Sequence, residues 1–375
     1  MATALDSAHM ARALRLAARG LYTTDPNPRV GCVIARGEAV VGEGWHVVAG
    51  EPHAEIHALQ AAGAAARGAT AYVTLEPCCH QGRTPPCTEA LIEAGIARVV
   101  CALRDPNPRV AGQGFERLRE AGIRVERLEG AGSEARTLNI GYVKRMATGR
   151  PWIRVKLAAS LDGRTALESG ESRWITGEPA REDVHRWRAR SSCILTGRGT
   201  VAADDPALNV RLAPEALGID RAVRQPRLAI MDRALRTPPR ARVFDTHTGV
   251  LLLTAAPDAP GAAALRARGA EIVGLPGHAR GVDPGAVFAE LGRREVNELH
   301  VEAGPTLCGS LLDSGYVDEL LLYMAPTLLG SGARGMFDIA PLASMEQRVS
   351  LHVRELRHVG RDLRIRALPL IDREK

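Results

Sequence analysis

The stretches AGEPHAEIHAL (Ala49 to Leu59) and YVTLEPCCHQGRTPPC (Tyr72 to Cys87) decide how this chain is read. His53 precedes Glu55 by two residues, and Cys78 and Cys87 follow. Two thiolates and one imidazole fill three corners of a tetrahedron around zinc, leaving the fourth for a water whose pKa the metal lowers to about 7. That vacant corner makes the site hydrolytic, and Glu55 is placed to take a proton from the water and return it to a departing group. A closed structural zinc site would need a fourth ligand. The nearest spares are Cys79 and His80, and Cys79 would strain to reach a metal already held by its neighbour, so both read as supporting or packing residues.

The H-x-E then P-C order is that of zinc deaminases acting on nucleobases. It departs from their short form in one respect, since eight residues separate Cys78 from Cys87 where two would be usual.

At 375 residues the chain exceeds one ordinary core, and its 45% hydrophobic content is ample for two. No apolar run approaches the ~20 residues of a membrane span, and the start lacks a signal-peptide pattern. Seven cysteines, an odd number without the density of a disulfide scaffold, agree with a reducing compartment, so a cytoplasmic protein is expected. The net charge of +6 comes from arginine, with Lys144, Lys156 and Lys375 the lysines. Aromatic residues are 3% of the chain, which argues against a nucleic-acid surface of basic and stacking side chains. A small anionic substrate fits better, because a few arginines can grip a phosphate bidentately.

The first half alternates helix and strand. Ser7 could cap a helix ending at Gly20, with strands near Gly31 to Ala35 and Ala39 to Trp45. His53 opens a helix to about Arg67, a strand from Ala71 to Leu75 delivers Cys78, and a helix after Pro86 carries Cys87. Helix starts favour both carboxylate and thiolate. A helix from about Ser133 to Ala147 leads to Gly149-Arg150-Pro151, placing the domains at 1–148 and 149–375. The six residues Asp25 to Val30 recur as Asp105 to Val110, a repeat that reads as a rigid turn rather than a duplication.

A second alternation follows, with strands at Trp152 to Ala158, Cys193 to Thr196, Leu228 to Met231, Leu299 to Val301, Glu319 to Met324 and Leu351 to Leu356. The turn Glu302 to Ser310 lies between a strand and a helix, where backbone amides can hold a pyrophosphate, although plain packing would give the same pattern. Gly197 and Gly199 make a similar turn. Lys156 interrupts an apolar strand in an arginine-using chain, which suits a group that can lose its proton; a strand-edge lysine is the alternative. Arg188 and Arg211 could form a phosphate clamp or merely surface salt bridges.

Together with PNPRVGCV (Pro26 to Val33), KLAASLDGRTA (Lys156 to Ala166), GESRWITG (Gly170 to Gly177), ADDPALNVR (Ala203 to Arg211) and VEAGPTL (Val301 to Leu307), these stretches resemble the bifunctional deaminase and reductase of riboflavin biosynthesis, over nearly the whole chain and in order. The long Cys78 to Cys87 loop belongs to that family and not to deaminases acting on tRNA. The resemblance implies an α/β protein with an N-terminal cytidine-deaminase-like three-layer domain and a C-terminal dihydrofolate-reductase-like domain. It implies Zn2+ held by His53, Cys78 and Cys87, and Glu55 as the catalytic residue. NADPH would be contacted by Ala158, Trp174, Thr200, Asp204 and the turn Gly304, Pro305, Thr306, Leu307, Cys308, Gly309 and Ser310. A phosphorylated pyrimidine would be contacted by Ser172, Arg188, Leu208, Arg211 and Glu302. Arg233 stands where relatives often carry serine and could meet the 2′-phosphate of NADPH. His46, Asn27 and Arg83 would line the deaminase pocket, or serve only as a strand-end histidine, a turn asparagine and a solvated arginine. No nucleic-acid or membrane partner is implied, and self-association is expected without a legible interface. The rivals are a nucleic-acid base deaminase fused to an unrelated domain, and a nonenzymatic zinc-binding module.

Overall fold

Thr3, rather than Ser7, opens the first helix, Ala4–Ala18. Its hydroxyl accepts the Asp6 amide while the Asp6 carboxylate accepts the Thr3 amide, a reciprocal pair that satisfies two otherwise orphaned donors. The computed structural model describes residues 3–80, 85–108, 110–278 and 281–370, so the expectation for Arg83 lies outside the described residues. The chain divides into two units: Met1–Gly149 with Pro214–Ala222, and Arg150–Ala213 with Val223–Lys375.

The first unit is built on a five-stranded sheet in the order Ala39–Trp45, Gly31–Arg36, Thr70–Val73, Arg98–Cys101, Arg124–Arg127. The first two pairings are antiparallel and the last two parallel. Cys32 to Ala35 are buried at its centre, and helix Ala4–Ala18 supplies Met10, Ala13 and Leu14 to the same core. The expected helix beginning at Ala54 stops at Ala62, because Gly63 turns to a φ of 53° and a short 3-10 turn follows. The single helix expected near Ser133 to Ala147 is two, Glu129–Leu138 and Ile140–Thr148. The break is at Asn139, whose buried side chain accepts the Arg29 amide and donates to the Arg29 carbonyl like a strand rung.

The second unit holds a nine-stranded sheet in the order Glu271–Gly274, Leu251–Thr254, Arg227–Met231, Cys193–Gly197, Glu298–Glu302, Trp152–Ser160, Glu319–Ala325, Asp362–Leu370, Ser350–Val359. The first seven run parallel, and the last two form an antiparallel edge. Alternation along the strands sorts the residues. Ile153, Val155, Leu157, Leu299 and Val301 join one apolar core, so Arg154, Lys156, Ala158, His300 and Glu302 fall on the opposite face. Helix Glu178–Arg190 covers part of that face, packing Ala180, Val184 and Trp187 on Leu321 and Tyr323. Buried Arg154 on this face pairs with Glu298 and Glu319 at 3.1 and 2.9 Å.

Candidate active sites

In the first unit, close packing fixes the helix that begins after His53. A Cβ added to Gly44 would stand 2.5 Å from the His57 Cβ and 2.8 Å from the Ala54 carbonyl oxygen, so only glycine lets helix Ala54–Ala62 lie this near strand Ala39–Trp45. His53 is the N-cap of that helix and Glu55 lies buried in its first turn. Cys87 is the first residue of helix Cys87–Glu93. Upstream of Cys78, the buried Glu76 accepts the amides of Asp105, Gly112, Gly114 and Phe115, anchoring the chain where it leaves the sheet.

His53 Nδ1 lies 3.2 Å from Cys87 Sγ and 3.6 Å from Cys78 Sγ, and the three donor atoms fall within 4.8 Å of one another. Bonds of about 2.0–2.3 Å to a common tetrahedral centre require donor separations of this size. The residues therefore fit zinc. Among the described residues no fourth His, Cys, Asp or Glu donor joins the group, Cys79 and His80 included. Burial pushes the Glu55 carboxyl up to about 7, against the opposing pull of His53, so it can hold or release a proton near neutrality.

His46 and Asn27 meet beside this group. The Asn27 amide nitrogen donates to His46 Nε2 at 3.0 Å, and His46 Nδ1 donates to the Pro52 carbonyl at 3.1 Å. Burial first of all draws the His46 pKa down to about 4, so the ring is neutral. Its edge packs on His53 at 5.1 Å between ring centres.

In the second unit, Lys156, Ala158, Ser172, Trp174, Arg188, Thr200, Asp204, Leu208, Arg211, Glu302, Gly304 and Pro305 line one cavity of about 1090 Å³. A neighbouring cavity is lined by Thr200, Arg233, Gly304, Thr306, Leu307 and Ser310. Both open at the carboxyl ends of parallel strands, where open α/β sheets hold their ligands. Helix Pro305–Asp313 starts there and aims its first amides at the opening. Cys308 and Gly309 line neither cavity. Cys308 is buried with its thiol on the Ala303 carbonyl, and a Cβ at Gly309 would meet the Asp338 backbone at 2.2 Å.

Glu302 is the electrostatic centre of the first cavity. Arg188 binds it through Nε and Nη2 at 2.5 and 3.0 Å, and Lys156 Nζ is 3.8 Å away. Burial opposes ionisation of Glu302, but Arg188 and Lys156 outweigh it and hold the carboxyl well below its usual range. Burial draws Lys156 below the usual lysine range against the pull of Glu302. The lysine singled out in an apolar strand is thus beside a carboxylate, on the cavity wall.

His185 and Arg242 also line this cavity and escaped the sequence reading. His185 lies three residues before Arg188 on helix Glu178–Arg190, so helical spacing from Arg188 was the available signal. Arg242 had none, because the chain brings it in from a distant segment.

A metal-ligand triad beside a buried carboxylate in one unit, and nucleotide-type cavities beside a lysine–glutamate pair in the other, define a zinc-dependent deaminase joined to an NADPH-dependent reductase. The cytidine and deoxycytidylate deaminase zinc-binding region matches residues 3–103, and the RibD C-terminal domain matches residues 151–365. The chain belongs to the RibD family, the bifunctional deaminase and reductase of riboflavin biosynthesis. It is 49% identical over 366 residues to the riboflavin biosynthesis protein RibD of Escherichia coli (strain K12), covering 96% of this chain and 98% of that one. The Haemophilus influenzae RibD is 45% identical over 375 residues, with 97% of each chain covered. Among solved structures, form 2 of Acinetobacter baumannii RibD is 43% identical with a TM-score of 0.89, over 97% of this chain and 99% of that one. A diaminohydroxyphosphoribosylaminopyrimidine deaminase/5-amino-6-(5-phosphoribosylamino)uracil reductase from Thermotoga maritima is 31% identical with a TM-score of 0.83, over 97% and 99%. The expected cytidine-deaminase-like and dihydrofolate-reductase-like halves are both present.

Proposed function

We propose that residues 1–148 deaminate 2,5-diamino-6-ribosylamino-4(3H)-pyrimidinone 5′-phosphate at its 2-amino group, and that residues 149–375 reduce the ribosyl group of the product to ribityl, giving 5-amino-6-(5-phosphoribitylamino)uracil. The single observation that carries this reading is the convergence of His53, Cys78 and Cys87 beside buried Glu55, in a chain whose other half pairs Lys156 with Glu302 in a nucleotide-type cavity.

Zinc on His53, Cys78 and Cys87 supplies an activated water when bound. Glu55 would accept a proton from the attacking water and return it to the departing amine, so that ammonia leaves as the ring carbon gains oxygen. Asn27, its amide nitrogen held by His46, would contact the pyrimidine beside this group. NADPH supplies the hydride when bound, and Ala158, Trp174, Thr200, Asp204 and the turn from Gly304 to Ser310 are the residues that would hold it. Lys156, beside Glu302, is the group able to hold and release a proton where the sugar ring opens. Ser172, Arg188, Leu208, Arg211 and Glu302 would position the ribotide.

A coupled assay tests the reading: the ribotide with zinc-loaded protein and NADPH should release ammonia and then lose reduced-nicotinamide absorbance. Ammonia from cytidine or adenosine in RNA, with none from the ribotide, would reverse it in favour of a nucleic-acid deaminase. No described helix is long and apolar enough to cross a membrane. The seven free cysteines support a cytoplasmic location. Self-association through strand Ser350–Val359 is supported by its place at the sheet edge and its exposed Leu351, Val353 and Leu356.

A further inference from the structure

Asp25 to Val30 and Asp105 to Val110 carry the same six residues, yet different bonds hold the two copies. In the first, the Asn27 backbone amide donates to the Thr24 carbonyl at 2.8 Å; in the second, the Asn107 amide donates to the Asp105 carboxylate at 2.8 Å. What the copies share is the joint between helices Glu129–Leu138 and Ile140–Thr148. Asn139, 1% exposed, accepts the Arg29 amide on Oδ1 at 2.7 Å and donates through Nδ2 to the Arg29 carbonyl at 2.9 Å and the Ala135 carbonyl at 3.3 Å. Three residues on, the hydroxyl of buried Tyr142 donates to Asp105 Oδ1 at 3.1 Å. The Asp105 amide in turn donates to Glu76, two residues before Cys78.

The grip on Arg29 falls where the sheet supplies none. Strand Gly31–Arg36 begins two residues later, so the amide and carbonyl of Arg29 go to one side chain instead of a neighbouring strand. Two bonds to a single residue fix its rotation as well as its position, which one bond would leave adjustable. Arg29 Nη1 adds a third tie, donating at 2.7 Å to the carbonyl of Leu138, the last residue of the preceding helix. Beyond the turn the chain is fixed separately, since the Gly31 amide donates to the Thr74 hydroxyl at 3.1 Å.

The turn held in this way reaches the metal ligands by two routes. The His46 amide donates to the Val30 carbonyl at 2.9 Å, and the Asn27 side chain donates to His46 Nε2 at 3.0 Å. The His46 ring then packs edge-on against His53. A shift of the Arg29 backbone would therefore move Asn27 and the ring on which His53 rests.

We propose that Asn139 is a positioning residue for deamination: by gripping the Arg29 backbone from the helix joint, it holds Asn27 where the pyrimidine is bound. This role rests on the deaminase reading given above. It gives a residue with no place among the ligands or the proton-transfer groups a measurable share in recognising the substrate.

The test is steady-state ammonia release from the ribotide by zinc-loaded wild type, Asn139→Ala, Asn139→Asp, Asn27→Ala and the double variant Asn27→Ala/Asn139→Ala, with zinc per chain measured for each. Asn139→Ala should raise the ribotide KM roughly 10-fold, the scale of a lost buried hydrogen bond, with kcat within about threefold and zinc retained. Asn139→Asp keeps the shape and the acceptor and deletes only the donor, so it should move KM in the same direction and stays informative where the truncated side chain prevents folding. NADPH oxidation with pre-deaminated ribotide should be unchanged in both Asn139 variants. The double variant should match Asn27→Ala alone, because a residue acting through Asn27 has nothing further to lose once Asn27 is gone. An unchanged ribotide KM in the Asn139 variants overturns the role, as do single effects that multiply in the double variant. Loss of zinc, or of kcat with KM intact, overturns it too, because Asn139 would then serve the metal site or the fold alone. A wild type that releases no ammonia from the ribotide instead overturns the deaminase reading beneath it.

Discussion

Arg188 and Glu302 meet edge to edge, Nε to Oε1 at 2.5 Å and Nη2 to Oε2 at 3.0 Å, although helix and strand bring them from 114 positions apart. Removing one partner of such a part-buried pair costs up to about 3–5 kcal/mol, because the other charge is left stranded. Arg188→Ala should therefore reduce NADPH oxidation by roughly 100-fold while ammonia release from the first unit persists. Arg188→Lys should recover little, since a point charge cannot reproduce the two-pronged geometry. Separate measurement of ammonia and nicotinamide absorbance decides the matter. Normal reduction in both variants would remove the pair from the chemistry.

Glu55→Gln keeps the shape of the side chain and deletes its proton exchange. Ammonia release should fall by about 10²–10⁴-fold, with one zinc retained per chain by metal analysis. Reduction of pre-deaminated ribotide should continue. Chelation should likewise stop deamination alone, and added zinc should restore it. Undiminished ammonia release by Glu55→Gln would leave the residue without a catalytic part.

Glu319 carries a pH dependence of stability. Burial raises its pKa, yet Arg154 and Arg366 prevail and bring it down to about 2 from an ordinary 4.5. A carboxyl depressed in the folded state contributes stability that is fully present above the unfolded value and is lost as pH falls through the folded one. The second unit should weaken by up to roughly 3 kcal/mol between about pH 4.5 and pH 2 on this account. Glu319→Gln should flatten that slope in urea midpoints measured against pH. A slope identical to the wild type would assign acid sensitivity to other groups.

Val353→Lys and Leu356→Lys place charges on the exposed edge strand Ser350–Val359. If this edge joins copies of the chain, sedimentation should show a smaller species for both variants at equal concentration, with melting of each unit little changed. Wild-type sedimentation of the double variant would exclude the edge as an interface.

The metal centre was legible because its chemistry is written locally: His53 and Glu55 share one helix start, and Cys78 and Cys87 flank one loop. The strands that carry the reductase half were equally plain, since Cys193, Ile194 and Leu195 form an apolar run, while Ile153, Val155 and Leu157, and likewise Leu299 and Val301, recur at every second position. Arg242 was hidden, since its place on the cavity wall depends on contacts distant in the chain, such as that of its amide with Asp205, 37 positions away. The break at Asn139 was missed because helix propensity is local, whereas the bonds that end the helix go to Arg29. Strand Asp362–Leu370 was missed too. It alternates arginine with apolar residues and contains Pro369, and its buried Arg364 is held by Asp183 from a remote helix.

The contact at Gly44 makes deamination hostage to a position with no chemistry of its own. A single methyl there would wedge apart two backbones and swing His53 off the thiolates, so a residue bearing no donor, charge or proton governs whether three ligands converge. What the site requires at that point is empty volume, which no inventory of reactive side chains would reveal.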